Sequence, residues 1–267
     1  MREAFPEVRK EEEMGISVEE AVKEIRARED IYVLYSQVTR LPYVTCGEET
    51  YNDQAWFFAD EEALKEFGKK KLDDKILLMG MKYEKKNFPR LYALLYSIGV
   101  NSLIWNKDGN QVEVDLEKVA REPDLSQIPP EKRPLLNPTL QLSGIYFMQE
   151  LRRPVEKEER KNLHEQEEEL IADLKKADFL VALNPGGDDP KKVSVPYLKN
   201  KEGKIMQPVF SDVLEFEKFA RGKKLRAAKI TFAKLPEILM EQAEAVVVNP
   251  MGFNLPLNRE QIKRIIG

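Results

Sequence analysis

The sequence predicts an α+β protein made of two similar units, each a mixed β-sheet with helices packed on it. Short apolar segments typical of strands recur in the same order in both halves, at a spacing of roughly 150 residues. An amphipathic helical pattern precedes each set. We therefore predict a first unit over residues 1–120, a proline-rich linker and a packed segment over 121–159, and a second unit over 160–267.

The repeat depends on the common order of its matches, because each match alone is short. Each pair of segments is similar in its apolar residues and in the residues that would begin or end an element. We interpret the repeat as a tandem duplication. The paired segments are residues 30–34 and 178–182, 41–44 and 195–198, 57–60 and 209–212, 75–76 and 229–230, 88–89 and 235–236, and 103–106 and 246–249.

These patterns predict the same element order in both units: a helix, three strands, a helix, a strand, a helix, a strand, and a final short strand with a helix. The first helix has a capping box at Ser17 and Glu20. Residues 76–79 and 230–232 are short apolar runs, which we interpret as central strands. Asn106 and Asn249 each precede a glycine by three residues and predict tight turns.

Asp60 and Asp212 occupy equivalent positions, directly after a buried strand and before a helical pattern. An aspartate there accepts the free N–H groups of the first helical turn and favours the positive end of the helix dipole. We therefore predict that both are structural helix caps. Replacing Asp212 with alanine is expected to lower the free energy of unfolding by about 1 kcal/mol through the lost cap.

The segment between the units has two interpretations. Its first part is rich in proline and predicts an irregular linker, but residues 140–148 are more apolar than a linker requires. They would either pack between the units or form an exposed docking peptide. Aromatic residues are enriched at binding hot spots, so their exposure would indicate an interaction surface. The candidates for that surface are Tyr43, Trp56, Tyr197, Tyr146 and Phe147.

Composition narrows the possible functions. The formal net charge is −4, which argues against nucleic acid or an anionic membrane as the main partner. One cysteine and one histidine exclude a disulfide framework, a cysteine-based zinc site and multi-histidine metal centres. The N-terminus is too acidic for a signal peptide, and no apolar run is long enough to span a bilayer. We expect a cytoplasmic protein.

The sequence gives no catalytic, cofactor-binding or metal-binding motif. Cys46 and His164 are the only candidates for a thiol–imidazole pair, and the repeat contains neither. Residues 184–189 are rich in glycine and follow a strand, but they lack the spacing of a phosphate-binding loop. We interpret them as a hairpin turn, and adjacent Asp188 and Asp189 as a weak metal candidate. The expectation is therefore no catalytic residue, no cofactor and no metal.

The second unit resembles the SseB N-terminal domain family, of the enhanced serine sensitivity type. The residues that carry the resemblance are Val195-Pro196-Tyr197, Phe210-Ser211-Asp212 and Asn249-Pro250 with Gly252. The first unit resembles a diverged copy, with Lys107 where the pattern has proline. The resemblance implies a compact domain without an established catalytic residue or cofactor.

Three functions are consistent with these observations. The first is a non-enzymatic tandem module that binds an unidentified protein or peptide, since fused units can give avidity without new chemistry. The second is a small-molecule sensor with a pocket between the two units, because domain interfaces are favoured pocket sites. The third is a hydrolase or transferase whose catalytic groups come together only in the fold.

Overall fold

The computed structural model describes residues 16–185 and 194–267, which form two six-stranded sheets with helices against them. Unit one runs from α1 to α4, unit two runs from α6 to α9, and α5 lies between them. The elements of unit one are α1 (Val18–Ala27), β1 (Asp30–Ser36), β2 (Val44–Cys46), β3 (Asp53–Phe58), α2 (Glu61–Asp73), β4 (Leu78–Glu84), α3 (Phe88–Ser97), β5 (Ser102–Lys107), β6 (Asn110–Asp115) and α4 (Leu116–Val119). Those that follow are α5 (Pro138–Leu151), α6 (Leu163–Lys176), β7 (Asp178–Leu183), β8 (Leu198–Lys199), β9 (Ile205–Phe210), α7 (Val213–Ala220), β10 (Arg226–Thr231), α8 (Leu235–Ile238), β11 (Ala243–Val248), β12 (Leu255–Asn258) and α9 (Arg259–Ile266).

The two sheets have the same topology. The strand order is β4-β1-β3-β5-β6 in unit one and β10-β7-β9-β11-β12 in unit two, and β2 and β8 pair with β3 and β9. Among the strands of the described residues, only the β3–β5 and β9–β11 pairs are parallel. The predicted α+β fold with two similar units is therefore confirmed, and so is the order of elements within each unit.

The strand register corrects one part of the proposed repeat. Lys82 lies opposite Tyr32 and Lys229 lies opposite Leu180, so Lys82, and not Lys75, is the equivalent of Lys229. Each lysine forms an ion pair of 2.7 Å with the first residue of the neighbouring strand, Asp30 or Asp178. The apolar run at 76–79 misled the alignment because it begins before β4.

β4 and β10 are edge strands, so the prediction that they are central is wrong. Most residues of β4 are exposed, and Met79 and Met81 are 38% and 39% exposed. A run of three or four apolar residues does not distinguish an edge strand from a central one. The strands predicted at 41–44 and 195–198 also begin later, at Val44 and Leu198.

The two asparagines expected to begin turns differ in structure. Asn249 has a φ of 49° and begins the turn between β11 and β12, where the Gly252 N–H donates to its carbonyl oxygen. Asn106 is instead a buried residue of β5. In unit one the turn is the pair Asp108 and Gly109, both with positive φ. Such a pair forms a tight two-residue hairpin, so the shorter connection removes the need for an asparagine turn.

Helix α5 connects the cores of the two units. Its buried residues belong to a hydrophobic core that is continuous from β1 to α9. The Gln149 amide donates to the carbonyl of Val44 in unit one at 3.0 Å, and Asn137 donates to the carbonyl of Asp178 in unit two at 2.8 Å. The apolar segment 140–148 is thus part of a buried helix. In the described parts of the chain, no helix is both long and apolar enough to cross a bilayer.

Candidate functional site

Asp212 lies at the centre of a buried polar cluster in unit two. It is the N-cap of α7, and its Oδ1 accepts from the Glu215 backbone N–H at 2.8 Å. Its Oδ2 accepts from the Ser211 hydroxyl at 3.0 Å and from the Gln141 amide of α5 at 2.5 Å. The Asn249 amide donates in turn to the Ser211 hydroxyl at 2.7 Å. The cluster therefore joins α5, α7 and the β11–β12 turn.

Asp60 makes the same cap without the cluster. Its Oδ1 accepts from the Ala63 backbone N–H at 2.8 Å at the start of α2, and its side chain is partly exposed. Ala59 and Ala63 stand where unit two has Ser211 and Glu215. Each aspartate thus caps the helix of its own unit, and the polar cluster belongs to unit two alone.

Glu215 is a buried acid that the sequence did not single out. It is 1% exposed, its Oε1 lies 2.5 Å from the Lys218 ammonium, and its Oε2 has no hydrogen-bond partner in the described parts of the chain. Burial raises the pKa of Glu215 above its usual value, and Lys218 opposes that shift. A Cβ on Gly252 would lie 2.8 Å from Oε1, so this close approach needs a glycine. The i, i+3 spacing to Lys218 could have indicated the pair, but not its burial.

The raised pKa gives a testable pH dependence. The folded state keeps the Glu215 proton at pH values where the unfolded chain, with its ordinary value of 4.5, has lost it. This contribution to stability is complete below 4.5 and is lost as the pH rises through the folded pKa. We expect wild type, relative to Glu215→Gln, to be more stable at pH 5 than at pH 8 in urea unfolding. A difference independent of pH, or equal to that of the exposed control Glu48→Gln, would contradict the raised pKa.

The five aromatic candidates do not form one surface. Tyr43 and Phe147 are buried, so these two candidates lack the exposure that would indicate an interaction surface. Tyr146 donates its hydroxyl hydrogen to Asp53 at 2.7 Å, and Trp56 donates to the Thr45 hydroxyl at 2.8 Å. Both are partly buried, because apolar and aromatic residues next to strands pack into the core. Tyr197 alone is largely exposed, at 51%.

Cys46 and His164 border different cavities. Cys46 lies beside a cavity of about 210 Å³ between unit one and α5. Burial, together with the nearby Asp53 carboxylate, raises the pKa of this thiol, so it is not activated as a thiolate. His164 is exposed on α6 and lies 3.4 Å from Glu168. Residues 186–189, including Asp188 and Asp189, lie outside the described residues. The described residues contain no cluster of potential metal ligands.

The largest cavity described here, about 540 Å³, is an open groove in unit two, which we name the α6–α9 groove. The C-terminal half of α5, one face of α6, strand β12 and helix α9 form its walls. Its apolar wall residues are Phe147, Met148, Leu151, Leu170, Ile171, Leu174, Leu255, Pro256, Leu257 and Ile265, and its polar rim residues are His164, Glu167, Glu168, Gln261 and Arg264.

In unit one, hydrogen bonds join the two helices that correspond to α6 and α9. There the Arg26 side chain of α1 donates to the backbone carbonyls of Lys118 and Val119 in α4. Lys107 also pairs with Glu24 of α1 at 3.1 Å. Within residues 16–185 and 194–267, no hydrogen bond joins α6 to α9. Periodicity could not have revealed the groove, because its walls come from four separate elements.

Comparisons with known proteins and protein families give a match for one of the two units, to a family model. A search of curated proteins and a search of solved structures each gave no match. Residues 156–264 match the model of a family described as SseB protein N-terminal domain. This range contains α6, β12 and most of α9, and thus residues from three of the four walls of the α6–α9 groove. Unit two is therefore similar to the SseB protein N-terminal domain.

Proposed function

We propose that the chain is a non-enzymatic tandem module that binds a segment of a partner protein in the α6–α9 groove. The observation that carries this proposal is an apolar groove of about 540 Å³ formed by α5 and unit two. Among the apolar wall residues, Leu151 and Ile171 are partly exposed and Pro256 is exposed. An apolar partner that covers these side chains would stabilise the groove.

The same topology and the equivalent ion pairs Asp30–Lys82 and Asp178–Lys229 support a tandem duplication. After such a duplication, one unit can keep a structural role while the other binds. The Arg26 contacts of unit one and the open groove of unit two agree with that division.

The rim of the groove indicates the chemistry of the partner. Glu167 and Glu168 lie along the α6 side, and Arg264 lies among the residues of α9. Two carboxylates on one rim favour a segment with lysine or arginine beside its apolar residues. A short amphipathic helix has this arrangement, with its apolar face against the walls and its basic residues at the α6 rim.

The state of the polar groups supports a role in binding rather than in catalysis. Asp60 and Asp212 both accept backbone N–H bonds at helix starts. The pKa of the Cys46 thiol is raised, whereas a nucleophilic cysteine needs a lowered pKa. In our proposal, Asp60, Asp212 and Cys46 therefore have structural rather than catalytic roles.

Two synthetic peptides of about 14 residues test the proposal. Both carry leucine and phenylalanine at i, i+3, i+4 and i+7, and they differ only in having lysine or glutamate at the flanking positions. We expect fluorescence anisotropy to show saturable binding of the lysine peptide, tighter than that of the glutamate peptide by about two- to fivefold.

Substitutions assign this binding to the groove. Ile171→Glu places a carboxylate on an apolar wall and is expected to weaken binding about tenfold or more. Leu72→Glu changes an exposed leucine of α2, outside the groove, and should leave binding unchanged. The proposal fails if neither peptide binds, or if Ile171→Glu binds as tightly as Leu72→Glu.

A further inference from the structure

A second cavity lies at the junction of the two units and is independent of the α6–α9 groove. It has a volume of about 420 Å³, and we name it the junction cavity. Unit one contributes the end of β1 with the loop after it, Tyr83 of β4 and one face of α3. Unit two contributes Leu214, Glu217 and Lys218 of α7 and Arg221 directly after this helix. Neither unit alone would form the cavity.

The charged side chains that line the junction cavity are mostly positive. Four of its lining side chains are cationic, namely Arg40, Arg90, Lys218 and Arg221, and only Glu217 is anionic. The chain as a whole has the opposite sign, with a net charge of −4. Lys218 pairs with Glu215. In the described parts of the chain, the three arginines have no carboxylate within 4.0 Å, so their guanidinium groups are available to a ligand.

Arg152 adds to the positive potential beside the cavity. Its guanidinium donates to the carbonyls of Val38, Phe253 and Asn254 and so bridges the two units. Burial and the nearby Arg40 lower the pKa of Arg152, which places Arg40 close to a second guanidinium. A bound anion would relieve the repulsion between such like charges.

A pair of tyrosine hydroxyls borders the same space. The oxygens of Tyr35 and Tyr83 are 2.5 Å apart. One hydroxyl donates to the other, which leaves the hydrogen of the second available as a donor. The register places Leu183 and Ile230 at the equivalent positions of unit two, so this donor is specific to unit one. The leucines of α3 and α7 give the cavity apolar surface between these polar groups.

We propose that the junction cavity binds a small organic anion with at least two negative charges, held by Arg40, Arg90 and Arg221 from both units. The planar fork of arginine donates two parallel hydrogen bonds to a carboxylate or a phosphate, so both groups fit this chemistry. The leucines would contact the apolar body of the ligand. Because both units hold the ligand, its binding stabilises their association.

Three small probes of similar shape test this proposal in NMR titrations of the full chain. Phenyl phosphate and phthalate carry two charges on an aromatic ring, and benzamide is a neutral control. We expect saturable binding of at least one anion, weakened by added salt, and no binding of benzamide. The tighter of the two anions identifies the ligand as a phosphate or a carboxylate.

Single substitutions locate the site. Arg90→Ala and Arg221→Ala, one from each unit, should each weaken anion binding about tenfold. Arg226→Ala removes an exposed arginine outside the cavity and should have no effect. Glu217→Gln removes the single lining carboxylate and should strengthen binding by up to about fivefold. Misfolding cannot produce such a gain.

The proposal is wrong if neither anion binds, if benzamide binds as tightly, or if Arg226→Ala weakens binding as much as Arg90→Ala. It is also wrong if Glu217→Gln leaves the affinity unchanged or lowers it. None of these outcomes depends on the α6–α9 groove, because Ile171→Glu alters only that groove and should leave anion binding intact.

Discussion

Replacing Asp212 with alanine is expected to lower the free energy of unfolding by about 3 to 7 kcal/mol. Loss of the helix cap accounts for about 1 kcal/mol. The remainder arises because the Ser211 hydroxyl and the Gln141 amide both donate to Oδ2 in a fully buried environment. Each buried donor left without a partner costs about 1 to 3 kcal/mol. The burial therefore raises the expected loss well above the 1 kcal/mol that the sequence alone suggested.

Asp60→Ala is the matched control, because Asp60 makes the same cap without buried donors beside it. We expect this variant to lose about 1 kcal/mol. Urea unfolding followed by circular dichroism gives both values, provided that the slope with denaturant stays unchanged. Equal losses for the two variants would show that the Ser211 and Gln141 hydrogen bonds add nothing to stability.

The sequence predicted the fold class and the element order because both depend on short-range patterns. The capping box at Ser17 and Glu20, the prolines in the first turns of α3 and α8 and the alternation in β6 and β12 are all local signals. Each of these signals involves residues within one helical turn or one strand. Repetition of the same order in both halves then strengthened every single assignment.

Helix α5 shows why local patterns fail elsewhere. Its buried residues cover an arc of roughly 200° around the helix axis, at about 100° per residue, because the helix packs between two units. They are Leu140, Gln141, Ser143, Gly144, Ile145, Phe147 and Met148. A helix buried on several sides has no polar stripe and hence no clear helical period. The segment therefore could be recognised as apolar but not as a helix.

The candidate sites depend on contacts between residues distant in sequence. Gln141 and Asp212 are 71 residues apart, and the junction cavity unites Arg40 with Arg221. Nothing in the sequence near Glu215 indicates that α5 and the β11–β12 turn exclude water from it. The Asp212 cluster and the junction cavity are therefore assembled by the fold and cannot be recognised from neighbouring residues in the sequence.

Gly144→Ala is expected to destabilise the protein by about 1 to 3 kcal/mol, although alanine favours helices. A Cβ at Gly144 of α5 would lie 2.9 Å from the ring of Phe253, which is fully buried in the β11–β12 turn. At this distance either the buried ring or helix α5 must shift from its present position. Overpacking of a close-packed core by one methyl group has a cost of about this size. Thermal and urea unfolding would measure it.

Gly68→Ala is the control that separates overpacking from helix propensity. Gly68 lies in α2, and a Cβ there would meet no atom within 4 Å. We expect this variant to gain up to about 1 kcal/mol of stability, because alanine is the better helix former. If the free energy of unfolding falls for Gly144→Ala and rises for Gly68→Ala, the close packing of α5 against unit two requires a glycine at position 144. If both variants gain stability, the close approach of α5 to Phe253 is not present in solution. In that case this contact does not join α5 to unit two.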